Sequence, residues 1–142
     1  MPTPGCIVLA VLAIIVAVLI ICIAVLLAVG RPGAPTTVIT VQDRPHLEAL
    51  RRADDGRPLL VFFHTPWCKF CQRMQPQFEA AAAGAPHRCA QMDVHEQPQV
   101  VAELALEGFP TVVLFEPGSG EVRAQRAGFC DDKALRRWVE SV

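Results

Sequence analysis

Two cysteines, Cys68 and Cys71, are the residues of this chain whose type and spacing most directly allow chemistry. They are separated by Lys69 and Phe70, follow an apolar run at 58–64, and open a helical pattern. A thiol in the first helical turn faces unpaired N–H groups and the positive end of the helix dipole, which favour the nucleophilic thiolate. The second thiol lies about one turn further on, so the two sulfurs can close a ring. This spacing in this context predicts a dithiol/disulfide exchange centre.

Alternating strand and helix patterns position the pair. The predicted strands cover 38–41, 58–64, 88–94, 111–115 and 121–125, and the predicted helices cover 43–53, 69–83, 98–106 and a last segment capped by Asp131 or Asp132. Pro76 should kink the second helix and Gly84 should be its C-cap. The order βαβαβαββα predicts an α/β fold with a mixed central sheet and helices on both faces.

The N-terminal segment differs in composition from everything after it. Cys6–Val29 contains no charged residue, and a helix of this length spans roughly 36 Å, enough for a hydrocarbon core of about 30 Å. Met1–Gly5 carries no Lys or Arg, and the run exceeds the roughly 7–15 apolar residues of a secretory signal, so an uncleaved transmembrane anchor at 1–29 is favoured. Cleavage after Ala28-Val29-Gly30 is the alternative.

The rest of the chain is predicted to be a short linker followed by one domain. Residues 30–37 alternate Pro and Gly without apolar periodicity and predict a linker, which leaves 38–142 as one compact domain. All 13 basic and 14 acidic residues follow the anchor, for a net charge of −1. The absence of a basic cluster in the sequence argues against nucleic-acid binding.

Taken together, the pattern from 38 to 142 resembles the thioredoxin superfamily. The matching features are Pro66-Trp67-Cys68-x-x-Cys71 after an apolar strand, Pro76 five residues beyond it, Gly108-Phe109-Pro110-Thr111 before the run at 112–115, and Gly128 after the last strand. Phe109–Trp138 is also similar to the extracytoplasmic thioredoxin-like domains of bacterial membrane thiol reductases. The resemblance implies a thioredoxin fold, with a redox-active disulfide in place of any cofactor.

The resemblance also implies roles for individual residues. Cys68 would be the exposed nucleophile and Cys71 the buried resolving thiol. Trp67, Phe109, a cis Pro110 and Gly128 would form the substrate groove, where the backbone of Phe109 pairs with an extended client. The alternatives are a core tryptophan at position 67 and an ordinary trans proline at position 110. Lys69 would favour the thiolate of Cys68.

Two departures from the family pattern bear on mechanism. Phe62 stands where thioredoxins usually carry a buried acid, and Gln91 stands at the position of its lysine partner. Because that acid is thought to take the proton of the resolving thiol, we expect slow resolution by Cys71. His64 either substitutes as a proton carrier or is merely packed. The Lys69-Phe70 pair matches neither the usual reducing nor the usual oxidising sequences, so it leaves the redox direction open.

The other cysteines do not suggest a metal site. Cys89 and Cys130 stand alone without a second ligand set at zinc-site spacing. Cys89 is predicted to be an inert core residue. Cys130, two residues beyond Gly128, is interpreted either as a packed thiol or as a third redox thiol.

The sequence therefore favours a membrane-tethered thiol–disulfide oxidoreductase that acts on protein thiols and disulfides, as a reductase rather than an oxidase. It requires a separate electron donor or acceptor. The alternative is a non-enzymatic module of the same fold that holds a client or delivers a metal through Cys68 and Cys71. Arg31 and Arg44 after the anchor favour a cytoplasmic domain, but disulfides persist outside the cytoplasm, so an extracytoplasmic domain (periplasm or cell exterior) is preferred.

Overall fold

The computed structural model of this chain describes residues 4–28 and 38–142. Within them the helices are α1 (Pro4–Ala28), α2 (Arg44–Arg52), α3 (Lys69–Ala82), α4 (Pro98–Glu103) and α5 (Asp132–Ser141). The strands are β1 (Ile39–Val41), β2 (Leu59–His64), β3 (Arg88–Asp93), β4 (Thr111–Phe115) and β5 (Val122–Ala127). From β1 onward the order is βαβαβαββα, as predicted. The predicted linker at 30–37 lies outside the described residues.

Contacts divide the chain into two units, Met1–Ala34 and Pro35–Val142. In the first unit the described residues form α1. Over the part of the chain that the structure describes, no helix combines the length and the apolar character needed to cross a membrane. The anchor at 1–29 stays a prediction from the sequence.

The second unit is built on a five-stranded mixed sheet in the order β1-β3-β2-β4-β5. β1 and β2 run parallel to β3, whereas β4 is antiparallel to both β2 and β5. β2 is therefore the central strand, and its residues from Leu59 to Phe63 are all buried. This explains the unbroken apolar run in the sequence, because a strand covered on both faces cannot alternate with polar residues.

Successive side chains of β2 enter two separate core clusters. Leu59, Val61 and Phe63 belong to the cluster under α2 and α4. Leu60 and Phe62 belong to the cluster under α3 and α5. Helices thus cover both faces of the sheet, which confirms the predicted layering.

Local capping sets the ends of the helices. The Asp43 carboxylate accepts a hydrogen bond from the backbone N–H of His46 (2.9 Å) and begins α2. Asp131, not Asp132, caps α5, since its carboxylate accepts from the N–H of Ala134 at 2.7 Å. α3 ends with Ala83 as its C-cap, one residue before the predicted Gly84. Gly84 is the next residue and has φ +74°, the left-handed conformation that follows many helices.

The β4–β5 turn is fastened to α2 by Arg51. Its Nε donates to the carbonyl oxygen of Gly120 at 2.9 Å, and its guanidinium lies 4.8 Å from the centre of the Phe115 ring. Nη1 of the same side chain lies 3.0 Å from carboxylate oxygens of Glu48 and Glu103. Gly120 has φ +66°, and a Cβ there would lie 3.0 Å from Cβ of Arg51. The turn therefore requires glycine at this position.

Candidate functional site

The cysteine pair lies where the end of β2 turns into α3. Cys68 is the N-cap of α3, and its backbone N–H donates to the carbonyl oxygen of Thr65 at 3.2 Å. The N–H of Cys71 points at Sγ of Cys68, 3.2 Å away. The two residues form a disulfide, with their Cα atoms 5.1 Å apart. Cys68 is half-buried and Cys71 is 2% exposed, so Cys68 is the sulfur that another molecule can reach.

A proline segment enters β4 at the same end of the molecule. The Phe109–Pro110 peptide bond is cis, as the resemblance implied. The carbonyl oxygen of Pro110 accepts a hydrogen bond from the N–H of Gly128 at 2.8 Å. Phe109 and Cys68 both pack against the core cluster under α3 and α5. The structure thus brings Phe109, Pro110 and Gly128 together, and their role as a substrate groove stays a prediction.

Trp67, the residue before Cys68, lies on the surface. Its side chain is 62% exposed, so the alternative of a core tryptophan is wrong. Its ring meets that of His95 edge-on, with centroids 4.0 Å apart and an interplanar angle of 83°. Trp67, His95 and Phe109 are among the residues lining a shallow groove of about 410 Å³.

His95 is a site residue that the sequence reasoning missed, although a signal for it existed. β2 and β3 are parallel, with His64 paired to Asp93. The carboxyl ends of parallel strands meet at one edge of a sheet, so a residue just after β3 lies near the segment just after β2. His95 follows Asp93 by two residues, and the N–H of His95 donates to the Asp93 carboxylate at 2.9 Å.

Two exposed aromatic residues and two cations lie on α3 and on the loop that follows β5. Phe70 is 58% exposed and Phe129 is 42% exposed. The guanidinium of Arg73 lies 5.3 Å from the centre of the Phe129 ring. Lys69 is exposed at the first residue of α3. The roles of Arg73 and Phe129 were not predicted, because contact between a helix and a distant loop leaves no periodic signal in a sequence.

One domain thus combines this fold with a half-buried Cys68, a buried Cys71 and a cis proline. A family model shows which family has these features. The thioredoxin model matches residues 37–141 of this chain. The chain belongs to the thioredoxin family. Proteins of the thioredoxin family use a redox-active disulfide and need no cofactor. In this domain the Cys68–Cys71 disulfide is the pair that corresponds to it.

Individual relatives agree with this membership. A thioredoxin from Rhodospirillum rubrum is 31% identical over 103 residues, which cover 71% of this chain and 95% of that protein. A mutant thioredoxin from Halobacterium salinarum NRC-1 is similar in structure, with a TM-score of 0.67 and 30% identity over 75% of this chain and 91% of the other. Protein disulfide-isomerase A5 of Mus musculus is 33% identical over 91 residues, 61% of this chain. The chain spans only 13% to 17% of the length of the disulfide-isomerases it matches.

Within this thioredoxin-family site, His64 lies at the end of β2 and is half-buried. Its ring stacks on that of Phe62 with centroids 5.3 Å apart. Burial lowers the pKa of His64, and the nearby Asp93 charge opposes this shift. No hydrogen bond joins His64 to either cysteine among the residues described. A role for His64 or Lys69 in tuning Cys68 therefore stays a prediction.

Two further cysteines lie in the core cluster that contains Cys71. Cys89 is 1% exposed and Cys130 is 5% exposed. Burial raises the pKa of the Cys89 thiol to about 12. Burial also raises the pKa of Cys130, against an opposing effect of Arg126. Over residues 4–28 and 38–142, no group of three or more His, Cys, Asp or Glu side chains is arranged to hold a metal ion.

Proposed function

We propose that this chain is a membrane-tethered oxidoreductase of the thioredoxin family that reduces disulfides in protein clients. The observation that carries the proposal is the accessible Cys68 sulfur at the N-terminus of α3, joined to the buried Cys71 and placed at the same end of the domain as the cis Phe109–Pro110 bond. The greater exposure of Cys68 supports an order in which Cys68 reacts with the client first and Cys71 second.

The reaction begins with the reduced pair. The thiolate of Cys68 attacks one sulfur of the client disulfide and forms a mixed disulfide with it. The client S–S bond breaks, and the other client sulfur leaves as a thiolate that takes up a proton. Cys71 then loses its proton and attacks the Cys68 sulfur. The Cys68–Cys71 disulfide forms and the second client thiol leaves. Two electrons have passed to the client, and a separate donor must reduce the pair again.

Several groups around the pair are proposed to assist. The helix N-terminus stabilises the Cys68 thiolate, because unpaired N–H groups such as that of Cys71 point at its sulfur. An extended client segment would lie along Phe109 and Pro110, bounded by Gly128. Trp67, held by its edge contact with His95, would cover an apolar client side chain. Lys69 adds a positive charge that long-range screening weakens.

The membrane anchor and the location of the domain belong to the proposal as well. Cys6–Val29 lacks any charged residue, which is the composition of a span. We place the domain outside the cytoplasm, where clients keep disulfides. Adding protease to intact cells and to spheroplasts of a producing strain tests this. Digestion of the domain only after the cells are broken open would contradict the proposed orientation.

Catalytic turnover of a protein disulfide tests the proposed reaction. The full chain should reduce insulin in the presence of a thiol donor, Cys68→Ser should abolish this activity, and Cys71→Ser should accumulate a mixed disulfide with the client. Cys22→Ser is the matched control and should leave activity unchanged, because Cys22 lies outside the domain. An inactive wild type that binds Cu(I) or zinc tightly would instead support the metal-delivery alternative.

The direction of electron flow needs its own measurement. The reduction potential of the Cys68/Cys71 couple can be found by equilibrating the protein with dithiothreitol or glutathione buffers. A potential of about −270 mV, as in thioredoxin, fits a reductase, whereas one of about −120 mV fits an oxidase and would overturn the proposed direction.

A further inference from the structure

The first turn of α3 places a positively charged face beside the reactive sulfur. Lys69 and Arg73 are four residues apart, and Phe70 and Arg73 are three apart, so these side chains are neighbours on the helix surface. All of them are exposed. The face begins one residue after Cys68, the N-cap of the same helix.

This face continues across to the loop that follows β5. The guanidinium of Arg73 lies 5.3 Å from the centre of the Phe129 ring, within cation–π distance. Phe129 directly follows Gly128, whose N–H donates to the carbonyl oxygen of Pro110. The four side chains of Lys69, Phe70, Arg73 and Phe129, here called the basic-aromatic surface, therefore extend from Cys68 toward the proline segment.

Neither cation of this surface forms a salt bridge within the part of the chain that the structure describes. The ion pairs among the described residues involve other basic side chains, and none places a carboxylate within 4.0 Å of Lys69 or Arg73. By contrast, Arg51 and Arg44 share Glu103 on the other face of the sheet. Exposed aromatic rings next to an arginine are the residue types enriched at protein interfaces.

We infer that the basic-aromatic surface selects client segments that carry an acidic residue and an apolar residue beside the reactive cysteine. The carboxylate would pair with Lys69 and Arg73, and the apolar side chain would pack on Phe70 and Phe129. This inference rests on the proposed function, since it concerns the client of the same disulfide. Charge complementarity at the edge of an interface acts mainly on the association rate and weakens with salt.

The test compares three disulfide-containing peptides of equal length that differ only in a Glu, Gln or Lys next to the cysteine. Their second-order rate constants of reduction by the pre-reduced full chain are measured at low and high salt. The wild type should favour Glu over Lys by roughly five- to tenfold at low salt, with a smaller ratio at high salt. Lys69→Gln/Arg73→Gln should bring the Glu-to-Lys ratio close to one.

Two controls isolate the surface from the chemistry. Any effect of Lys69 on the Cys68 thiolate changes all three rates equally, so the ratio removes it. Arg52→Gln removes an exposed charge on α2, on the other face of the sheet, and should keep the wild-type ratio. Phe129→Ala should slow reduction of a peptide with Leu beside the cysteine more than one with Gly there.

The outcomes separate this inference from the proposed function. If the wild type reduces hydroxyethyl disulfide but reduces the three peptides at rates equal to one another, the inference is overturned while the oxidoreductase stands. The same holds if the double variant keeps the preference for Glu. If neither hydroxyethyl disulfide nor any peptide is reduced, the proposed function fails and the inference fails with it. Loss of the preference in the double variant alone, with Arg52→Gln unchanged, supports the inference.

Discussion

Phe62 and Gln91 are paired in register on the adjacent strands β2 and β3. Phe62 is fully buried in the core cluster that contains Cys71, and Gln91 donates its amide to the hydroxyl of Thr40 at 3.4 Å. Neither side chain can take up a proton from a thiol. The two positions at which thioredoxins usually hold an acid and a lysine are thus occupied here by groups that do not titrate.

This pairing predicts a slow second step. Deprotonation of Cys71 lacks a buried base, so we expect mixed disulfides to persist longer than in Phe62→Asp, whose carboxylate would restore one. Phe62→Asn is the matched control, because it adds a buried polar group of the same size without a titrating proton. Stopped-flow measurement of mixed-disulfide decay at neutral pH should show acceleration in Phe62→Asp alone. Equal decay rates in the two variants would contradict the explanation.

Stability should fall in mildly acidic solution because of His64 and His87. Burial lowers the pKa of both side chains from the ordinary value of 6.5, with Arg136 adding to the effect at His87. The unfolded chain therefore binds more protons than the folded one as the pH drops below about 6.5, and the free energy of unfolding decreases with it.

Urea denaturation of the oxidised protein between pH 7.5 and pH 5 measures this dependence. The free energy of unfolding should depend less steeply on pH in His64→Gln/His87→Gln. The carboxyls of Asp55 and Glu103, whose pKa values are also lowered, lose their contribution only at lower pH, below this window. A wild-type stability that stays constant from pH 7.5 to pH 5 would contradict the prediction.

A side chain at Gly120, in the β4–β5 turn, should destabilise the domain. Gly120→Ala combines φ +66° with a Cβ only 3.0 Å from Cβ of Arg51 and 3.1 Å from its carbonyl oxygen. We expect a loss of about 1–3 kcal/mol in the free energy of unfolding. Gly108→Ala, where a Cβ would meet nothing within 4 Å, should cost less than half as much. Equal losses in urea denaturation would show that backbone strain at Gly120 is not the cause.

The thiol of Cys89 should be chemically silent in the folded domain. It is buried, and its pKa of about 12 leaves almost no thiolate at neutral pH. Alkylation by iodoacetamide, followed residue by residue with mass spectrometry, should be at least about a hundredfold slower than in concentrated urea. Rapid labelling of Cys89 without urea would mean that the strand β3 opens readily.

Much of this fold could be predicted from short sequence patterns, and the rest depends on contacts between residues far apart in the chain. The apolar run of β2, the Asp43 cap and the order of elements follow from short patterns. The predicted helix at 98–106 stops at Glu103 because Leu104 is its C-cap and Ala105 adopts φ +48°. β5 extends to Ala127, beyond the predicted end, because Ala127 pairs with Thr111.

The residues of the site also include some that could be predicted from the sequence and some that could not. Cys68 and Cys71 could be predicted from their spacing at the start of a helix, whereas the cis bond before Pro110 was implied by the resemblance to the thioredoxin superfamily. The contacts of Trp67 with His95 and of Arg73 with Phe129 join segments far apart in the chain. No local pattern encodes the contact of Arg73 with Phe129, whereas the position of His95 near Trp67 could have been inferred from the parallel pairing of β2 and β3.

The two outermost strands of the sheet also have a consequence for how copies of this domain behave at high local density. β1 is three residues long, and β5 carries Arg123 and Arg126 along a largely exposed ribbon. A short edge strand and an edge strand that carries charged side chains both resist the addition of a foreign strand. Crowded molecules should therefore remain dispersed rather than join their sheets into aggregates.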